Sequence, residues 1–120
     1  MIRYVVMGKY SSDAIAGLIY NPQDRKKSTE KFLRNAGGKW DEGSSFVHVN
    51  HPDYDFIGII IVKDEATAKA TADVIRATGN YDSFNFFRAW LPQEYSNISK
   101  KASEYVGTFT STTDRIKEDK

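Results

Sequence analysis

The hydrophobic and polar positions change period several times along the chain, and each change marks an element. Tyr4 to Lys9 is a β-branched and aromatic run closed by Tyr10-Ser11-Ser12, which predicts a first strand. Ser12 or Asp13 can cap a short helical turn with Ile15, Leu18 and Ile19 on one side. Asn21-Pro22-Gln23-Asp24 then has the chemistry of a fresh helix start: an N-cap side chain, a residue with no amide to leave unpaired, and an acid at the positive end. That helix should run to about Ala36, burying Phe32, Leu33 and Ala36, with Gly37-Gly38 as its exit.

Trp40 opens a second strand region that resumes at Phe46 to Val49, and Asn50 to Asp53 are turn formers. Phe56 to Val62 is the clearest strand of the chain. Asp64 caps a small-sided helix over Glu65 to Thr78, which Gly79-Asn80 ends. Phe84 to Trp90 is a fourth strand. A final amphipathic helix carries Leu91, Tyr95, Ile98, Ala102 and Tyr105 at steps of four and three, with Gly107 as its stop. Thr108 to Lys120 is polar apart from Phe109. Strand, helix, strand, strand, helix, strand is the ferredoxin-like βαββαβ order: an α+β fold with a four-stranded antiparallel sheet and both helices on one face. The chain divides into a main domain over residues 1–95 and a C-terminal helix with a polar tail over residues 96–120.

Such a sheet should show its bare face to water and so alternate apolar with polar residues. This one does not. Ile57, Ile59 and Ile61 oppose Phe56, Ile60 and Val62; Phe84 and Phe86 oppose Phe87 and Ala89; Tyr4 and Val6 oppose Val5 and Met7. The second face therefore needs a cover, either the C-terminal helix or the sheet of another subunit.

The short motifs strengthen this reading. Tyr4-Val5-Val6-Met7-Gly8-Lys9-Tyr10-Ser11, Ala36-Gly37-Gly38-Lys39, Asp53-Tyr54-Asp55-Phe56 and Arg88-Ala89-Trp90-Leu91-Pro92 together resemble the GYD-domain proteins, over about residues 3 to 95. Asp53 stands where the family's triplet has glycine, while Tyr54 and Asp55 match. The resemblance implies a dimeric α+β barrel, a homodimer whose sheets pack face to face. The family has no established activity, so the resemblance leaves the reaction open.

Composition bounds the chemistry. The 120 residues hold 17 Lys and Arg against 16 Asp and Glu, a net charge of +1, which argues against a protein that coats nucleic acid. With no cysteine there is no disulfide, thiol nucleophile or Cys-based metal site. No apolar run approaches the roughly 20 residues of a membrane span, and no targeting segment is evident, so the expectation is a cytoplasmic protein with no membrane partner. No P-loop, Gly-x-Gly-x-x-Gly or Gly-x-Ser-x-Gly motif implies a cofactor or a serine nucleophile.

What stands out is the 13% of aromatic residues, seven Phe, seven Tyr and two Trp. Most serve a core and an interface. A few, Trp40, Phe46, His48, Tyr54, Arg88 and Trp90, are candidates to line a cavity for a small organic ligand. His48 and Asp55 are the candidate acid–base pair if the protein is instead a cofactor-independent enzyme, monooxygenase- or isomerase-like; a purely structural assembly protein is the third reading. His48, His51, Asp53 and Asp55 are the only cluster of metal-ligand types. A hairpin explains them better, because residues three apart on a strand face opposite sides, and no metal site is expected. The basic first helix, with Arg25, Lys26, Lys27, Lys31 and Arg34, reads as a solvated face.

Overall fold

A computed structural model describes residues 1–43 and 45–110. Within it the chain forms two compact units, Met1–Ala89 and one that begins at Trp90. The first holds β1 (Ile2–Tyr10), α1 (Ser12–Tyr20), α2 (Arg25–Asn35), β2 (Lys39–Trp40), β3 (Phe46–His48), β4 (Phe56–Val62), α3 (Glu65–Ala77) and β5 (Tyr81–Ala89); the second holds α4 (Pro92–Ser103) and a 3-10 turn at Val106–Thr108. The sheet order is β2-β4-β1-β5, with β3 also pairing β4. All neighbours are antiparallel. Two long central strands flanked by the strands each helical connection reaches make this the ferredoxin-like α+β fold.

Several boundaries differ from the sequence-based expectation, each for a local reason. Ser11, one residue earlier than expected, caps α1 by accepting from the Ala14 amide at 3.2 Å. The expected turn is a nine-residue helix, and Asn21 is spent as its C-cap, donating to the Gly17 carbonyl. The cap of α2 therefore falls to Asp24, which accepts from the Lys27 amide at 3.0 Å, and Pro22 lies in the connection. Four strands were expected; among the described residues the sheet has five, the edge strand being divided into β2 and β3. The Asp41 amide donates to the Ile59 carbonyl and the Ile59 amide donates to the Ser45 carbonyl, so Asp41 and Ser45 both bond to a single residue of β4. Strand β5 starts at Tyr81 rather than Phe84, and α4 ends before Tyr105.

The registers fix which side chains share a face. Val5 lies between Ile59 and Phe87, and Met7 between Ile57 and Asn85, on the face away from the first unit's core; Phe87 is 47% exposed. The opposite face carries the core: Tyr4, Val6, Tyr10, Phe56, Ile60 and Val62, closed by Leu33 of α2 and Ala68 of α3. On β5 the register slips between Lys9 and Tyr10, so that Lys9 faces Ser83 but Tyr10 faces Tyr81. This bulge passes over Asp82 and returns Tyr81 to the core face beside Phe84.

Candidate functional site

Two glycines shape the floor of the site. Gly8 and Gly58 sit on the core face of the central strands, β1 and β4. A Cβ at Gly8 would meet the Phe56 ring at 2.7 Å, and one at Gly58 would meet the Trp40 ring at 2.6 Å and Phe46 at 3.2 Å. With both positions bare, rings lie directly on the backbone. Trp40 stands edge-on to Phe46 at 4.8 Å between centroids, Phe46 stacks on Phe56 at 5.6 Å, Phe56 meets Tyr10 at 5.3 Å, Tyr10 meets Tyr81 at 5.5 Å, and Tyr81 meets Phe84 at 5.1 Å. Such pairs favour offset and edge-on geometry over close sandwiching, so a belt of rings cannot fill space as branched aliphatics do.

The space left is a cavity of about 260 Å³ between this belt and the facing sides of α2 and α3. Its walls include Tyr10, Trp40, Phe46, Phe56, Phe84 and Phe86 from the sheet, Arg25, Thr29 and Phe32 from α2, Val74 and Ile75 from α3, and Thr78 at the C-cap of α3. Polar groups break the apolar lining, Thr78 and Asn80 at one end and three further features toward α2 and β1. The Trp40 indole donates to the Thr29 hydroxyl at 3.0 Å, which fixes the ring. Arg25 stands at the first turn of α2, with Nη1 donating to Gln23 Oε1 at 2.9 Å and Ser28 Oγ at 3.1 Å. The Tyr10 hydroxyl lies 3.3 Å from His48 Nε2 and beside the Arg25 guanidinium. Burial, with the Tyr81 phenol close by, pushes the Tyr10 hydroxyl up to about 12, so it is protonated at neutral pH.

Asp55 explains how Tyr10 is held. At the bulge the Tyr10 amide needs a new acceptor, and Asp55 Oδ2 takes it at 2.8 Å while the Asp55 amide donates to the Gly8 carbonyl at 2.7 Å. The motif's acid thus pins the end of β1 to the hairpin and aims Tyr10 across the floor. Tyr54 packs its ring on His51 at 5.4 Å in the same hairpin, where the Asp53 amide donates to His51 Nδ1 at 3.0 Å. Among the described residues no three His, Asp or Glu side chains gather as a metal site would need.

Of the residues singled out from sequence, the cavity wall contains Trp40 and Phe46. His48 is exposed and touches the wall through Tyr10 and Phe46. Tyr54 and Asp55 belong to the hairpin. Arg88 lies opposite Tyr4, with Nη1 donating to the carbonyls of Arg3 and Ala89. Trp90 begins the second unit with 47% of its surface exposed. Arg25, Thr29 and Tyr10 were not singled out for the site. Counting back from Leu33 by four and by eight reaches Thr29 and Arg25, so helical spacing placed both on the buried stripe.

A model of the GYD domain matches residues 4–98. The chain belongs to the GYD-domain family. The Tyr54-Asp55 pair of this GYD domain is therefore the family's own motif, and its acid is the group that holds Tyr10. No curated protein matches the chain. Among solved structures it is similar to 30S ribosomal protein S6 from Thermotoga maritima, at 16% identity over 85% of this chain and 97% of that one, with a TM-score of 0.43. Among the described residues no helix is long and apolar enough to cross a membrane.

Proposed function

We propose that this GYD-domain protein binds a small organic molecule in the aromatic cavity of the first unit. The observation that carries the reading is the cavity itself: about 260 Å³ of mainly apolar, ring-lined space with a few polar groups. Binding pockets of roughly 300–1,000 Å³ hold drug-sized ligands, so this one suits a molecule of one or two rings. Trp40 in the wall provides the test. In a Trp90→Phe background, titration with naphthalene or indole should change Trp40 emission saturably, and Ile75→Phe, which fills part of the space, should weaken the response. Emission that does not respond, or responds equally after filling, refutes the reading.

The working unit in this proposal is a cytoplasmic homodimer joined through the outer face of the sheet, where Val5, Met7, Ile57, Ile59 and Phe87 form a contiguous apolar row. Light scattering should give twice the chain mass, and Phe87→Glu should halve it; a wild-type monomer at micromolar concentration refutes the dimer.

A cofactor-independent enzyme is the second reading, favoured by the contact between the Tyr10 hydroxyl and His48 Nε2. In it His48 draws the phenol's proton while the oxygen faces the cavity. Turnover that His48→Gln abolishes without weakening binding would establish it.

A further inference from the structure

We propose that the ligand is a flat aromatic acid, with its rings among Phe46, Phe56 and Phe84 and its carboxylate between the Arg25 guanidinium and the Tyr10 hydroxyl. The inference rests on the cavity reading and narrows it to a ligand class.

The argument begins with charge. Arg25 is partly buried in the wall of a mainly apolar space. It donates to Gln23 and Ser28 and interacts with the Tyr10 hydroxyl, all three neutral groups. Guanidinium is the side chain best shaped to meet a carboxylate through two parallel bonds. Asp24, the neighbour of Arg25 in the chain, accepts from the Lys27 amide, and Asp55 accepts from the Tyr10 amide. Asp13 lines an adjoining hollow with Arg25 but makes no ion pair with it. A neutral ligand would leave the guanidinium facing an apolar body without a counter-charge, whereas a carboxylate supplies one.

Tyr10 adds the second donor. Its oxygen lies beside Arg25, and its ring belongs to the same belt that would flank the ligand. Since the phenol stays protonated at neutral pH, it can donate to an anion while His48 Nε2–H, in the matching tautomer, donates to the phenol oxygen. The rings then account for shape. Phe46 and Phe56 lie parallel, with an interplanar angle of 8°, and edge-on or offset contact with such rings favours planar aromatic ligands over bulky aliphatic ones.

Calorimetric titration of the full chain with 2-naphthoate and with the isosteric neutral 2-naphthamide separates the two readings. The acid should bind about tenfold or more tightly than the amide, the difference expected for one charge-assisted contact. Arg25→Gln should bring the acid to the level of the amide and leave the amide unchanged. Tyr10→Phe should weaken the acid several-fold and the amide little. Arg25 lies at the helix surface, and an unchanged melting curve for Arg25→Gln shows that the fold is kept. Equal binding of acid and amide to the wild type, or an undiminished acid preference in Arg25→Gln, overturns the carboxylate site while leaving the cavity reading intact. No binding of either probe overturns both.

Discussion

The two ends of α3 face the same sheet and finish differently. Toward its N-terminus, Ala68, Thr71 and Ala72 are buried, at 1–3% exposure, close to the fully buried Val62. Small side chains let helix and sheet approach until no space remains. Toward its C-terminus, Val74 and Ile75 stand over Phe84, Phe86 and Tyr81 across a cavity, and Val74 is 55% exposed. The helix is the same rigid rod at both ends, so the difference comes from the sheet. Aliphatic side chains close one end, and rings lying on bare glycine hold the other apart. A cavity here needs no special loop; it follows from changing the residue type along one layer.

The largest effects should appear when each end is forced to behave as the other. Ala68→Leu adds three carbons where no space exists, and the loss of stability should be about 3 kcal/mol, at the upper end of overpacking penalties. Ile75→Phe also adds three carbons, over the cavity, and should change stability by less than about 1 kcal/mol, because the ring enters empty space. Urea denaturation of both variants checks the contrast. Equal penalties would mean that the open end is packed after all.

Much of the closed end was legible in the sequence, and much of the open end was not. Phe56 to Val62 reads as a strand because seven consecutive apolar residues bounded by Asp55 and Lys63 fit nothing else so short. The small-sided α3 and its Asp64 cap are equally local signals, the carboxylate accepting from the Thr67 amide at 2.7 Å. The cavity depends on relations that no local pattern carries. Tyr81 joins the ring belt only because a bulge skips Asp82, and period-two counting from Phe84 would put it on the other face. Trp40 is positioned by the missing side chain of Gly58, eighteen residues away. Arg25 was hidden among lysines of similar charge, although its spacing from Leu33 set it apart. The motif Tyr54-Asp55 was visible as a motif, but its work, holding the Tyr10 amide, depends on the pairing of β1 with the hairpin.

Gly58→Ala tests the role of the bare floor with a single methyl. The new carbon would press on the Trp40 ring, which is held from behind by Thr29 and edge-on by Phe46. A loss of about 1–2 kcal/mol is expected, softened by the small gain of replacing glycine within a strand. The spectroscopic consequence should be larger: Trp40 emission in the Trp90→Phe background should shift, and affinity for the naphthyl probes should fall. Unchanged emission would place Trp40 elsewhere. The same methyl at Gly17, with nothing within 4 Å, serves as the control.

The last contrast separates the two ends by pH. Tyr10 at the open end is raised to about 12 from an ordinary 10.0, chiefly by burial and then by the Tyr81 phenol; Tyr4, opposite Ile60, is also raised, by burial and then by Glu65. For an acid whose folded value is the higher one, the stabilising term is present in full below the unfolded value and is lost as pH climbs to the folded one. Below pH 10 both states of the chain keep the Tyr10 proton; between 10 and about 12 the unfolded chain releases it first, and the folded state loses ground as pH rises. Urea midpoints across this window should therefore fall with pH, and Tyr10→Phe should flatten the fall more than Tyr4→Phe does. The two variants cancel the lysine titrations they share. If the slopes of wild type and Tyr10→Phe coincide, the phenol is hydrated in the folded state, and the open end is a solvent-filled cleft in which Arg25 would meet any anion only through water.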